Sequence, residues 1–146
     1  MTQLTNQITD AGPVITVYIG VSNPYRNALV AQSRAVPQPV AIDMQVDTGC
    51  SSSVIDQRVV AALSLPVRGQ DLVSTPSSGA NGVVVPVYDV SIVIPGMRNQ
   101  RLTLPAWRVT SADFSAQTIF GLLGRDILIR GRMYYNGPDA ECYLSF

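Results

Sequence analysis

The feature that most restricts how this chain can fold is the cutting of its apolar residues into short runs. Ten prolines and eleven glycines punctuate 146 residues, leaving apolar pieces of about five to eight residues, which suit strands better than helices. In "VAIDMQV" (40–46) the residues Val40, Ile42, Met44 and Val46 alternate with Ala41, Asp43 and Gln45. That period of two describes a strand with one face to a core. "VITVYIG" (14–20) is a β-branched run closed by Gly20, and "ALVAQS", framed by "SNPYRN" and "AVPQP", reads as a further extended piece.

Downstream the pattern continues. "SSVIDQRVVAALSLP" reads as a short strand and then a short helix, with Asp56 as N-cap and Pro66 as the stop. Residues 71–95 form two extended arms around a Gly-rich tip, a long hairpin with a mobile end in which Tyr88, Val90, Ile92 and Ile94 share a face. "RLTLPAWRV" is a strand, with Trp107 in the core or in a groove wall, and "SADFSAQ" is a loop. "TIFGLLGRDILIRG" predicts an apolar strand, a turn at Gly124 and a short helix that Gly131 closes with a left-handed cap. "RMYYNGPDAECYLSF" predicts strand, turn and strand, with Cys142, Leu144 and Phe146 alternating. The reading is a mainly β chain with one or two short helices: a tail over 1–13 and one domain over 14–146.

Composition agrees with one ordered domain, since 47% of residues are hydrophobic and 14% charged. Ten arginines balance ten acids, so there is no basic cluster to neutralise phosphates and no nucleic-acid partner is expected. No stretch approaches the ~18 apolar residues of a membrane span, and the leading segment lacks the form of a signal peptide. A cytoplasmic protein with no membrane partner is therefore expected, and its two cysteines, Cys50 and Cys142, read as reduced thiols.

Absences narrow the chemistry further. Histidine and lysine are both missing, which removes Ser-His and Cys-His nucleophile pairs, imidazole zinc sites, Schiff bases and P-loop lysines. No cofactor and no metal is expected. An enzyme built from these residues would use carboxylates for acid-base work.

One carboxylate stands apart. Asp47-Thr48-Gly49 ends the best-specified strand, is followed by small residues and "VI", precedes the Gly-tipped hairpin and is answered by "IFGLLGRDIL". The triplet alone is a common turn. In this order it resembles the retropepsin-like aspartic proteases, the single-domain clan of the retroviral proteases, over residues 14–146. The resemblance implies a closed, orthogonal barrel-like sheet with a flap hairpin, assembled as a homodimer.

It also implies roles. Asp47 matches the catalytic aspartate, Thr48 a threonine that interlocks with its counterpart across the dimer, and Gly49 a glycine over which the substrate backbone passes. Arg125, after Gly124, matches an arginine that braces helix and dimer, and Ser78, Gly79, Gly82 and Val84 fall at the flap. Val54, Val84, Val85 and Ile119 are the candidate subsite walls. The mechanism needs two carboxylates around one water, and the chain has one such triplet, so two copies must meet on a two-fold axis. The paired aspartates would share a proton, as aspartic proteases do as a class, and act at acidic to mildly acidic pH.

Three departures qualify the match. Cys50 stands where relatives carry alanine, serine or threonine, and a thiol is a weak donor to the aspartate. Ser51 stands where many viral members place an acid that pairs with the arginine, leaving Asp126, Asp43 or Asp56 as substitutes. The segment after the helix is long, making "RMYYNG" and "ECYLSF" candidates for an intersubunit sheet or for an edge hairpin. The implied activity is endopeptidase cleavage of a peptide or protein substrate; the alternative is a non-catalytic peptide-binding or self-association module of the same fold.

Overall fold

The computed structural model describes residues 1–146. In chain order the elements are β1 (Gln3–Thr9), β2 (Gly12–Val21), α1 (Asn23–Ala31), β3 (Val40–Val46), β4 (Val54–Asp56), α2 (Gln57–Ala62), β5 (Gly69–Val73) and β6 (Val83–Pro95). A single 3-10 turn (Met97–Asn99) leads to β7 (Arg101–Ala112), β8 (Gly121–Leu123), α3 (Arg125–Leu128), β9 (Arg132–Asn136) and β10 (Glu141–Ser145). No helix is long and apolar enough to cross a membrane.

Six strands close on themselves. β2 pairs with β3, β3 with β8, β8 with β4, β4 with β7, β7 with β6, and β6 returns to β2. The inward positions are those that the alternation marks: Ile15, Val17 and Ile19 from β2, Ile42, Met44 and Val46 from β3, and Tyr88, Val90, Ile92 and Ile94 from β6 are all buried. Each such aliphatic side chain contributes about 1.5–3 kcal/mol of burial. Closure leaves these six strands without a free edge along the ring. Gly121 makes it possible, because a Cβ there would run into the Val54 carbonyl.

Two appendages leave the barrel. β5 pairs with β6 as a hairpin whose tip spans residues 74–82. On the other side β1 bridges β2 and β10, and β9 is the outermost strand. The leading residues, read from sequence as a tail, are thus a strand of the domain's own sheet, and Thr2 and Phe146 exchange both backbone hydrogen bonds, at 2.9 and 2.8 Å. "RMYYNG" and "ECYLSF" pair with each other within one chain.

Three further expectations need correction. The "ALVAQS" region is not extended: Ser22 accepts from the Tyr25 N–H, Pro24 sits in the first turn, and α1 runs to Ala31. The helix-opening signature of a hydroxyl cap followed by proline sets this segment as a helix, and only Val30 after it is β-branched. With α2 and α3 the helices number three, one more than expected. Gly131 is not left-handed, as only Gly12, Gly79 and Gly82 have positive φ among the glycines. It is needed for space: a Cβ at Gly131 would collide with the Ser145 carbonyl and lie 2.7 Å from Phe146 Cδ1.

Candidate active site

Asp47 follows β3 directly, and its backbone N–H donates to the Leu123 carbonyl at 3.0 Å, tying it to β8. The Asp-Thr-Gly turn then folds back on its own aspartate: the Gly49 N–H donates to Asp47 Oδ1 at 2.8 Å and the Cys50 N–H to the Asp47 carbonyl at 3.2 Å. Asp47 is half-buried and Thr48 and Gly49 are exposed. Oδ2 accepts no hydrogen bond from the chain. One oxygen is oriented and the other is free to meet something outside.

Arg125 holds this turn from the C-terminal side. Its Nη1 donates to the Thr48 carbonyl at 2.8 Å and the Gly49 carbonyl at 3.2 Å, and its backbone N–H to the Cys50 carbonyl at 2.8 Å. None of the three carboxylates offered as its partner is one. Asp43 accepts from Thr16, Asp126 from Ser53 and Trp107, and Asp56 from Arg58 and the Phe114 N–H. Gly124 is packed so closely that a Cβ would lie 2.8 Å from the Ser52 backbone and 3.0 Å from the Cys50 carbonyl.

The Cys50 thiol donates to the Ser52 carbonyl at 2.9 Å and makes no hydrogen bond to Asp47. Burial pushes that thiol above its ordinary value; the Ser52 bond acts in the opposite direction, and the negative charge of Asp47 adds to the rise. It is a poor nucleophile at neutral pH.

The residues after Cys50 open onto two clefts that share Ser52, Asp71 and Thr110. One, of about 260 Å³, lies between Cys50, Ser51, Ser52 and Val54 on the loop side and Asp71, Leu72, Val73 and Ser74 on the hairpin. The other, of about 300 Å³, continues past Trp107 and Asp126. Together they make a trough that begins at Cys50, just past the turn, and runs along the first arm of the hairpin; Asp47, Thr48 and Gly49 line neither cleft.

The hairpin residues singled out in sequence lie elsewhere. Ser78 is engaged with Thr75 through several hydrogen bonds, Gly79 and Gly82 supply the positive φ of the tip, and Val84 is exposed beside it. None lines either cleft. Val54 does line one; Val85 is half-buried in β6, and Ile119 is only 3% exposed and packed inside. Asp71, Leu72, Val73 and Ser74 were missed because β5 offers no alternation to say which side faces the loop.

A second carboxylate is structural. Asp56 is 1% exposed, accepts from the Arg58 side chain at 2.8 and 3.0 Å, caps α2 through the Arg58 N–H and accepts from the Phe114 N–H at 2.8 Å. The Arg58 side chain above all, against the cost of burial, brings its pKa from 3.8 down to about 2. No three cysteine, aspartate or glutamate side chains converge in a way that could hold a metal ion.

A closed six-stranded barrel that presents Asp-Thr-Gly beside a hairpin is the retropepsin-like fold. A retropepsin-like aspartic protease from Rickettsia conorii has it too, with a TM-score of 0.60 at 15% identity, covering 97% of this chain and 89% of that one. The chain belongs to the aspartyl protease family, whose model matches residues 37–127, from before β3 through Ile127. Weaker likenesses include the protease of EIAV (TM-score 0.40, 18% identity, 81% of this chain and 86% of that one). Another is the retroviral protease-like domain of Ddi1 from Leishmania major (TM-score 0.40, 13% identity, 85% and 82%). No curated protein matches the sequence significantly.

Proposed function

We propose that two copies of this chain form an aspartic endopeptidase, with Asp47 of each facing the other across a two-fold axis. A water held between them would lose a proton to one carboxylate as it attacks the peptide carbonyl, while the protonated partner donates to the carbonyl oxygen. The tetrahedral intermediate then collapses as a proton passes to the leaving amine. Substrate would lie extended in the trough between the turn and β5, bound as an added strand.

The observation that carries this reading is the state of Asp47 itself. Its Oδ1 is fixed by Gly49 and its Oδ2 is unpaired, on a turn anchored to a closed barrel. Such a carboxylate is half of a catalytic pair, and a second copy supplies the other half. Association is further supported by β9 at the sheet's outer edge, whose Met133, Tyr134 and Tyr135 are 39%, 64% and 53% exposed. Two free cysteines suit a reducing compartment such as the cytoplasm.

The test is cleavage of a mixed-peptide substrate by wild type and Asp47→Asn, from acidic to neutral pH and at several protein concentrations, read by mass spectrometry. Pepstatin-sensitive cleavage by wild type alone, with specific activity rising with concentration, is the expected result. Absence of cleavage by folded, dimeric protein would transfer the case to the non-catalytic peptide-binding module.

A further inference from the structure

Behind the Asp47 turn runs a line of hydrogen bonds that ends at the only tryptophan of the chain. Ser53 is fully buried; its Oγ accepts from the Gly124 N–H at 3.0 Å and donates to Asp126 Oδ1 at 2.8 Å. Asp126 Oδ2 accepts from Trp107 Nε1 at 2.8 Å. Gly124 leads straight into Arg125, whose backbone and guanidinium hold the carbonyls of Thr48, Gly49 and Cys50. Trp107 lines the trough on its other side and carries the Arg130 guanidinium 5.6 Å from its ring centroid.

We infer that Trp107 is a positioning residue for the Asp47 turn, acting through Asp126, Ser53 and the Gly124–Arg125 segment. This rests on the proteolytic reading for its kinetic consequence, though not for its structural one.

The residue types fit that role. The central group must accept from two donors at once, because the Ser53 hydroxyl oxygen already takes the Gly124 N–H and its proton must go to Asp126. A carboxylate does this with one oxygen for each donor; an asparagine has one acceptor oxygen and would turn its NH2 toward either the serine or the indole. Buried polar groups of this kind hold a single geometry when fully satisfied and lose it when one bond is removed. The donor must also project from the body of a ring that forms the groove wall, which an indole does and a phenylalanine does not. Gly124 completes the arrangement: a Cβ there would lie 2.9 Å from Asp126 Oδ1, so only a bare Cα admits the carboxylate.

The experiment compares Trp107→Phe, Asp126→Asn and the double variant with wild type as assembled protein. Each single variant is expected to lower kcat about tenfold or more, as small misplacements of reacting groups do, with KM within about twofold of wild type. The double variant should be no worse than Asp126→Asn alone, since removing the indole N–H relieves the opposition of two donors. In Asp126→Asn the emission of Trp107 should move to shorter wavelength, because the negative charge beside its pyrrole nitrogen is gone. Wild-type kcat in either single variant, or losses that multiply in the double, would overturn the inference. If wild type cleaves nothing, the proteolytic reading fails by itself, and amide exchange at Gly124 and Arg125 decides this one. Faster exchange in the variants upholds it, and unchanged exchange overturns it. Should Trp107→Phe not fold, the near-isosteric Asp126→Asn carries the same measurements.

Discussion

Arg125 and Thr48 are joined by a side-chain to backbone hydrogen bond of 2.8 Å, with a second at 3.2 Å to the next carbonyl, that of Gly49. The arginine therefore grips the Asp-Thr-Gly turn itself and needs no acidic partner. This explains why the chain tolerates Ser51 where an acid is common among the proteins it resembles. Since Thr48 and Gly49 are exposed, water can take over their carbonyls when the arginine is removed. Arg125→Ala should then cost less than about 1 kcal/mol in stability, yet lower peptide cleavage by at least about tenfold through loss of turn geometry. Thermal melts and kcat measured on the same preparation check the contrast.

Asp56 predicts the opposite pattern. Its folded-state pKa lies below the ordinary value, at about 2 against 3.8, so its contribution is present above pH 4 and is lost as pH falls from about 4 toward 2. Asp56→Asn should destabilise the protein by about 2 kcal/mol near neutrality, because an amide still caps the helix but loses the charge that faces Arg58 and one of the two acceptor oxygens. The difference from wild type should shrink as pH falls toward 2. Urea titrations across that range check it, and a constant difference would contradict the assignment.

Cys50 bears on the pH dependence. A hydroxyl at this position can in principle donate to the aspartate more strongly than a thiol, but here the thiol is committed to the Ser52 carbonyl at 2.9 Å. A serine of similar size inherits that bond. Cys50→Ser should accordingly leave the pH-rate profile where it is, and a displaced acid limb would show that the side chain turns toward Asp47 on assembly. Because burial raises the Cys50 thiol, alkylation of native protein near pH 7 should be slow and should accelerate on unfolding.

Much of this architecture was legible because two kinds of signal coincide. The alternation in 40–46 fixed which face of β3 is buried, and the turn after it fixed where Asp47 emerges. Asp56 as N-cap and the strand, turn and strand of the last fifteen residues were readable from local chemistry alone. The helix α1 was announced locally, by Ser22 and Pro24, and was misread; the other failures needed information from across the fold. Whether residues 3–9 pair with a strand at the other end of the chain is not written in "QLTNQIT", and Gly131 is dictated by Ser145 and Phe146, fourteen and fifteen residues on. The line from Trp107 to Ser53 joins β7, α3 and the loop before β4, so each residue has its ordinary local explanation and only the closed barrel brings them together.

Gly131 tests that last point directly. A methyl group there meets the Ser145 carbonyl and the Phe146 ring, both held by pairing of the chain's two ends. Gly131→Ala should destabilise by about 1–3 kcal/mol, as overpacking does, although alanine is conformationally acceptable at this backbone. Phe146→Ala should cost less in the Gly131→Ala background than in wild type, because it removes one of the two collisions while keeping the backbone pairing with Thr2. Thermal denaturation of the pair checks it, and equal Tm values for wild type and Gly131→Ala would refute the crowding.

Leu72 and Val84 sit opposite each other across the hairpin, and they are 60% and 59% exposed. Apolar side chains left in water at adjoining positions contribute little to the stability of one chain, and here Leu72 also walls the cleft beside Cys50 and Val54. The burial of Leu72 would come when a peptide lies in the trough, so its free energy belongs to binding. Leu72→Ser should leave Tm within about 1 °C of wild type, as surface changes usually do, while raising KM for apolar peptides several-fold at nearly constant kcat. A matching fall in kcat would instead place Leu72 in contact with the transition state, whereas a fall in Tm would mean that the hairpin packs against its own barrel in the free protein.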